Sequence, residues 1–145
     1  RGDLLADLGL GPDALERALS ARHLAGALST RRIPIKVALL DQSILAGIGN
    51  IYASEALWRS RIDPRTPANR LTRDRLGPLV RAIRATLQAA LRRHQRYYGR
   101  EREAPDEGRF SVYDREGERC RRCGGTIRRI TQAARSTYFC PKCQK

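Results

Sequence analysis

The residues of this chain whose types and spacing could do chemistry are its four cysteines. Cys120 and Cys123 form one C-x-x-C pair, Cys140 and Cys143 form another, and 16 residues lie between the pairs. A two-residue gap lets one tight turn aim both thiolates at a single ion, and two such turns complete a tetrahedron of sulfur atoms. Four thiolates in that geometry favour Zn²⁺ over hard cations. The spacing therefore predicts one bound zinc ion.

Two other uses of these cysteines compete with zinc, namely disulfides and an iron–sulfur centre. The spacing falls within the range of structural zinc sites, which favours the metal. Four protein ligands leave no open coordination position, so the ion would be structural rather than catalytic. It would replace the hydrophobic core that so short a segment cannot build.

The net charge indicates a polyanionic partner. The 145 residues carry 29 Lys+Arg against 15 Asp+Glu, a formal net charge of +14. Nucleic acid is the commonest partner of so basic a chain, although a protein that merely carries excess arginine would give the same number. A zinc tetrathiolate contributes −2, which leaves segment 119–145 at about +6. That segment has no acid and holds eight basic residues: Arg119, Arg121, Arg122, Arg128, Arg129, Arg135, Lys142 and Lys145.

Several absences bear on where the protein works. No apolar run approaches the roughly 20 residues that a membrane span needs, and no signal-peptide pattern opens the chain. Cysteines assigned to a metal fit a reducing cytoplasm. The chain contains no methionine and begins R-G-D-L-L-A-D-L-G, so we expect it to be a fragment of a longer protein.

Hydrophobic periodicity predicts that the first two thirds of the chain are helical. Short helices are expected over residues 12–20 and 22–28. Pro34 suits the start of a third helix, whose apolar face continues to Ile44 and Leu45. Thr72 is expected to cap the longest helix, which ends at residue 94 or 95. Leu57 and Trp58 are predicted core residues of the intervening helix over 51–60.

A glycine-containing turn joins two of these helices. Gly47 and Gly49 interrupt the apolar pattern, and Asn50 is predicted to be the N-cap of the next helix. Free amides at such a helix start, beside glycines with no side chain to block approach, could hold a phosphate. The alternative is an ordinary αα-hairpin whose glycines only permit the bend.

The chain after the long helix divides into a linker and a metal module. Residues 97–109 are polar and mixed in charge, which is typical of a linker. Phe110, Val112 and Tyr113 predict a short strand that leads into the metal site. Strand character at 126–127 and 138–139 predicts a β-hairpin with one C-x-x-C at each end.

Three stretches together resemble the C-terminal half of a bacterial formamidopyrimidine-DNA glycosylase, and the endonuclease VIII branch of that superfamily is similar. They are D-Q-S-I-L-A-G-I-G-N-I-Y-A-S-E-A-L, F-S-V-Y-D-R-E-G-E-R-C-x-x-C-G and A-R-S-T-Y-F-C-P-K-C-Q. The resemblance implies a mainly α fold, with a helix–two-turn–helix DNA-binding domain over residues 1–96 and a C4 zinc finger over 110–145. It also implies a monomer that binds damaged or abasic double-stranded DNA in the bacterial nucleoid.

The family removes oxidised bases such as 8-oxoguanine and formamidopyrimidines from an extruded nucleotide and then cleaves the abasic strand. By resemblance, Asn50 holds backbone phosphate near the lesion. Arg135 contacts the same region and assists the final elimination. The DNA-binding positions that the resemblance implies are Arg31, Arg32, Lys36, Gly47, Gly49, Asn50 and Arg135.

Two departures from the family pattern leave alternatives open. The family's catalytic Pro-Glu amino terminus and its β-sandwich are absent, so we expect this chain to bind DNA without excising bases. The short stretch 97–109 favours endonuclease VIII-like pyrimidine substrates, whereas N-I-Y-A-S-E favours the formamidopyrimidine branch. A third interpretation is a non-catalytic basic zinc-ribbon protein that binds nucleic acid or organises a protein assembly. That interpretation leaves the G-I-G-N turn unexplained.

Overall fold

The computed structural model describes residues 19–99 and 110–145. The helices of this part are α1 (Ala21–Leu28), α2 (Ile35–Leu39), α3 (Asn50–Arg59) and α4 (Arg73–Gly99), with a 3₁₀ helix, Ala68–Arg70, before α4. An antiparallel hairpin of β1 (Arg128–Gln132) and β2 (Arg135–Phe139) follows. The predicted fold class, mainly α with a small hairpin, is confirmed.

Helix α1 confirms the element predicted over residues 22–28. Ser20 precedes it in extended conformation, and its hydroxyl accepts a hydrogen bond from the His23 amide at 3.0 Å. A side-chain oxygen at this position satisfies one of the amides that a helix start leaves free. Leu24 and Leu28 lie one turn apart and are buried. The helix predicted over 12–20 lies outside the described residues except for its last two.

Helix α2 is shorter than the apolar pattern predicted. It begins after Pro34, but it is only five residues long and does not continue to Ile44 and Leu45. The carboxylate of Asp41 accepts hydrogen bonds from the amide and hydroxyl of Ser43 at 2.9 and 2.6 Å. This local turn replaces the next helical turn. Both apolar residues are buried nevertheless, so the pattern identified core positions but not the helix end.

The helices share one hydrophobic core. Helix α4 packs against α1 and α3, and α3 also packs against α2 and β2. Leu57 is fully buried, as predicted. The stripe on α4 is buried from Leu76 to Leu87, whereas Leu91 is 47% exposed. Helix α4 ends at Gly99, so it extends beyond its predicted end and into the range 97–109 expected to be a linker.

The hairpin has a two-residue turn. Gln132 pairs with Arg135, and Ala133 and Ala134 between them have φ of 49° and 64°. Two successive left-handed residues form a type I′ turn, which matches the twist of the strands but usually contains Asn-Gly. The turn therefore places two alanines in a conformation that costs each about 1 kcal/mol or more. It holds Arg135 at the first position of β2.

The strand predicted from Phe110 to Tyr113 is wrong. Ser111 and Val112 form a bend, and Tyr113 begins a turn. The amides of Ser111, Val112 and Tyr113 all point at the carboxylate of Glu55, to which they donate at 2.7, 2.9 and 2.9 Å. Three amides that converge on one carboxylate cannot also belong to a strand ladder.

No helix within residues 19–99 and 110–145 combines the length and the apolar character required to cross a membrane.

Candidate nucleic-acid interface and metal centre

The four cysteines lie together in the geometry that a tetrahedral ion requires. Their sulfur atoms are all within 4.8 Å of one another. The Sγ atoms of Cys120 and Cys143 are 3.8 Å apart, and those of Cys123 and Cys140 are 3.4 Å apart. A Zn–S bond of about 2.3 Å gives a sulfur–sulfur edge of about 3.8 Å in a regular tetrahedron. The two sulfur–sulfur distances above lie within about 0.4 Å of that edge, so the four cysteines can hold Zn²⁺, which would cross-link the two ends of the hairpin.

The protein around the sulfur atoms differs from one cysteine to the next. Burial acts to raise the pKa of the Cys120 thiol, but hydrogen bonds from the Trp58 indole and from the Cys123 and Arg122 amides lower it to about 6. Burial raises the pKa of the Cys140 thiol to about 12. A metal ion removes both protons, because only thiolates ligate zinc.

Lys36, Asn50 and strand β2 meet at a second centre. The Lys36 ammonium donates to Asn50 Oδ1 and lies 3.4 Å from the carbonyl oxygen of Ser136. Asn50 Nδ2 donates to that same carbonyl at 3.0 Å. These contacts join α2, α3 and β2, and they fix the orientation of the Asn50 amide. Ser136 was not singled out from the sequence, because its contribution is a backbone carbonyl.

The charge at this centre is positive. Lys36 is fully buried. Burial and the nearby Arg135 guanidinium lower the pKa of Lys36 from 10.5 to about 8, so the amine is still mostly protonated at neutral pH. Among the described residues no carboxylate forms an ion pair with Lys36 or Arg135. A buried cation without an anion is costly, so the site favours an anionic ligand.

The turn before α3 differs from the prediction at one residue. Asn50 is not the N-cap, because Gly49 occupies that position in extended conformation and Asn50 is the first helical residue. The Asn50 side chain turns to Lys36 and Ser136 instead of capping the helix. Gly47 has a left-handed backbone, with φ of 95°, which glycine adopts without strain. A Cβ added at Gly49 would meet nothing within 4 Å, so this side of the helix start is open.

The remaining predicted DNA-binding residues lie at the surface near α2. Arg31 forms an ion pair with Asp41 at 3.1 Å. This contact holds part of its charge against the turn that ends α2. Arg32 is exposed. The structure therefore brings Lys36, Asn50 and Arg135 together, and it leaves Arg31 and Arg32 outside that group of contacts.

Comparison with known sequences identifies the family. The profile of the formamidopyrimidine-DNA glycosylase H2TH domain matches residues 10–100. The chain belongs to the formamidopyrimidine-DNA glycosylase family. A zinc finger found in Fpg and in IleRS matches residues 117–145, which confirms the prediction of one structural zinc ion.

Named formamidopyrimidine-DNA glycosylases are similar along nearly the whole chain. The protein of Chloroflexus aurantiacus is 50% identical over 141 residues, which are 92% of this chain and 50% of that protein. The protein of Erythrobacter litoralis is 46% identical over 143 residues, 94% of this chain and 52% of that protein. The chain thus spans about half the length of these relatives.

Solved Fpg structures have the same fold. Fpg (MutM) of Lactococcus lactis, in complex with Fapy-dG containing DNA, superposes with a TM-score of 0.86 at 32% identity, over 99% of this chain and 55% of that one. MutM (Fpg) of Thermus thermophilus superposes with a TM-score of 0.83 at 39% identity, over 94% and 54%. An unrelated zinc-ribbon protein would not account for these matches.

Sequence reasoning missed two residues of α3 that hold the zinc finger of this Fpg-family chain. Glu55 is buried and accepts three amides from residues 111–113. Trp58, expected to be a core residue, is only half-buried and donates to Cys120 Sγ. The one available signal was the charge of Glu55 in an otherwise small and apolar stretch, because a buried carboxylate requires donors.

Proposed function

We propose that this chain supplies the DNA-holding part of a base-excision-repair glycosylase that acts on oxidised bases. The observation that carries the proposal is that the buried Lys36 ammonium donates to Asn50 and lies near the Arg135 guanidinium. No carboxylate of the described residues forms an ion pair with either cation. A group of cationic and amide side chains beside an open helix start has the chemistry of a backbone-phosphate site.

The relatives support DNA as the ligand and oxidised guanine as the lesion. Structures similar to this chain contain Fapy-dG DNA, carbocyclic 8-oxo-G DNA or abasic-site DNA. The relatives described above are named formamidopyrimidine-DNA glycosylases, which favours that substrate class over oxidised pyrimidines. The proposed partner is therefore duplex DNA with an oxidised purine or an abasic site.

The contacts suggest a division of labour within the site. Asn50 is oriented by two neighbours, so its amide is ready to bind a phosphate oxygen. Arg135 is exposed at the tip of the zinc finger, where it would bind the same stretch of backbone. Its assistance in strand elimination is proposed from the family resemblance. Lys36 is buried, so it acts indirectly: its ammonium orients the Asn50 side chain and adds positive charge to the site.

We propose that base excision is an activity of full-length members of the family. For these 145 residues we propose DNA binding alone. Excision in this family uses an amine that attacks the sugar. The Lys36 amine is fully buried and hydrogen-bonded, so it does not present itself to a sugar. We expect borohydride to trap no covalent adduct between the 145-residue chain and abasic-site DNA, and a trapped adduct would contradict this division.

Salt-dependent binding tests the proposal. The affinity of the zinc-loaded chain for a duplex with an abasic-site analogue is measured at several salt concentrations. It should fall linearly on a log–log plot, because each neutralised phosphate releases counterions. Arg135→Ala should weaken binding by about 1–3 kcal/mol and reduce the salt slope by about one.

Arg92→Ala is the matched control, since it removes the same charge from an exposed position on α4. We expect it to change the affinity less than twofold. Salt-independent binding, or equal effects of the two substitutions, would remove the proposed phosphate site.

A further inference from the structure

Trp58 connects helix α3 directly to the metal site. It lies in the last turn of α3, outside the segment 117–145 that matches a zinc finger. Its indole Nε1–H donates to Cys120 Sγ at 3.3 Å. Its ring packs against the small core of the zinc finger, which contains Val112, Ile127 and Tyr138. A residue of the helical domain thus contacts a zinc ligand.

Arg122 makes a second connection between α3 and the metal site. It lies between the cysteines of the first pair, and its guanidinium carbon is 4.0 Å from the centroid of the Trp58 ring. Its Nη2 donates to the Trp58 carbonyl oxygen at 2.7 Å and to Cys143 Sγ at 3.0 Å. One guanidinium therefore contacts the end of α3 and the second cysteine pair together.

The chemistry of the zinc site gives these two donors a function. A zinc ion with four thiolates has a net charge of −2, which neighbouring N–H donors and cations stabilise. Here a neutral donor reaches Cys120 and a cationic donor reaches Cys143, so each C-x-x-C pair receives one. Groups that hydrogen-bond to metal ligands typically change metal affinity 10- to 100-fold when they are removed.

We propose that Trp58 and Arg122 determine how tightly this chain holds zinc, and that they couple metal occupancy to the helix that carries Asn50. The zinc finger then does not bind its metal independently. Helix α3 contributes a donor to the metal site at Trp58 and a ligand-binding amide at Asn50, eight residues away on the same rigid element.

Zinc competition in the full 145-residue chain tests the first half of the proposal. Trp58→Phe retains a ring under the Arg122 guanidinium but has no N–H, and Arg122→Lys retains the charge but cannot contact both the carbonyl and the sulfur. Each variant is titrated with a chromophoric zinc chelator. Each should hold zinc about 10- to 100-fold more weakly than the original chain.

The matched controls are Tyr52→Phe, also on α3, and Arg128→Lys, an exposed residue of β1. Both should retain zinc within twofold of the original chain. Far-UV circular dichroism in excess zinc should show that all four variants fold. If folded Trp58→Phe and Arg122→Lys also hold zinc within twofold, the two residues are packing residues only and the proposal fails.

The fluorescence of Trp58 tests the coupling, because Trp58 is the only tryptophan of the chain. Removal of zinc should shift its emission, since the N–H···S hydrogen bond and the stacked guanidinium are lost together. Return of zinc should reverse the shift. Emission that does not change while circular dichroism reports loss of the hairpin would show that α3 does not sense the metal.

Discussion

Replacement of Glu55 by Gln should loosen the zinc finger from the helical domain. The Glu55 side chain is buried, and Oε1 accepts from the Ser111 amide while Oε2 accepts from those of Val112 and Tyr113. Gln has almost the same shape, but one of its terminal atoms is an NH₂ group. The NH₂ group must face at least one of these three backbone N–H groups. Because both are hydrogen-bond donors, that backbone N–H loses its acceptor.

The cost follows from the contacts. One buried amide left without an acceptor costs about 1–3 kcal/mol. The two remaining hydrogen bonds lose the assistance of the charge, which makes such bonds roughly twice as strong as neutral ones. The total is about 2–4 kcal/mol. It should affect the attachment of residues 111–113 to α3 rather than the hairpin, which the zinc ion holds together.

Amide hydrogen exchange of the zinc-loaded chain measures this effect. The amides of Ser111, Val112 and Tyr113 should exchange about 30- to 1,000-fold faster in Glu55→Gln, since every 1.4 kcal/mol is a factor of ten. Amides of β1 and β2 should change much less. Glu118→Gln is the control, because that carboxylate is 59% exposed and pairs with Arg115 at the surface. Protection of residues 111–113 that is unchanged in Glu55→Gln would refute the reasoning.

Two further predictions concern Lys36 and the hairpin turn. Because the pKa of folded Lys36 is about 8 against an ordinary 10.5, the unfolded chain binds more protons than the folded chain between these values, and rising pH there favours folding. In denaturant unfolding, the original chain should therefore gain about 1 kcal/mol of stability relative to Lys36→Met between pH 8 and 9; a constant difference would contradict the lowered pKa. The double substitution Ala133→Asn with Ala134→Gly should stabilise the zinc-loaded chain by about 1–2 kcal/mol, because both residues then tolerate the left-handed turn. An unchanged unfolding midpoint would show that the alanines are not strained.

The features that were predicted from the sequence are those whose causes are local. The metal site was predicted because each C-x-x-C pair forms within one turn, so the spacing of Cys120 and Cys123 already fixes two ligands. Helix α4 was predicted because its apolar stripe follows the helical period over several turns. Its end was misplaced, because after Gly77 and Pro78 in its second turn no glycine or proline occurs before Gly99 to mark where the helix stops.

The features that were missed depend on partners far away in the sequence. Asn50 has the residue type of an N-cap, but Lys36 and the Ser136 carbonyl compete for its side chain. Phe110 to Tyr113 has strand-forming residues, but the amides of residues 111–113 donate to the Glu55 carboxylate, and this holds the segment in a turn. The turn at Ala133 and Ala134 carries no sequence signal, because the twist of the strands selects its conformation.

A double-mutant cycle on Asn50 and Arg135 tests whether the helical domain and the zinc finger hold the same stretch of DNA backbone. The affinities of the original chain, Asn50→Ala, Arg135→Ala and the double variant for an abasic-site duplex give one coupling energy. Residues that share a ligand couple by about 0.5–3 kcal/mol, whereas independent sites are additive within about 0.3–0.5 kcal/mol. We predict a coupling energy of at least 0.5 kcal/mol. Additive effects would show that the two residues bind separate parts of the DNA.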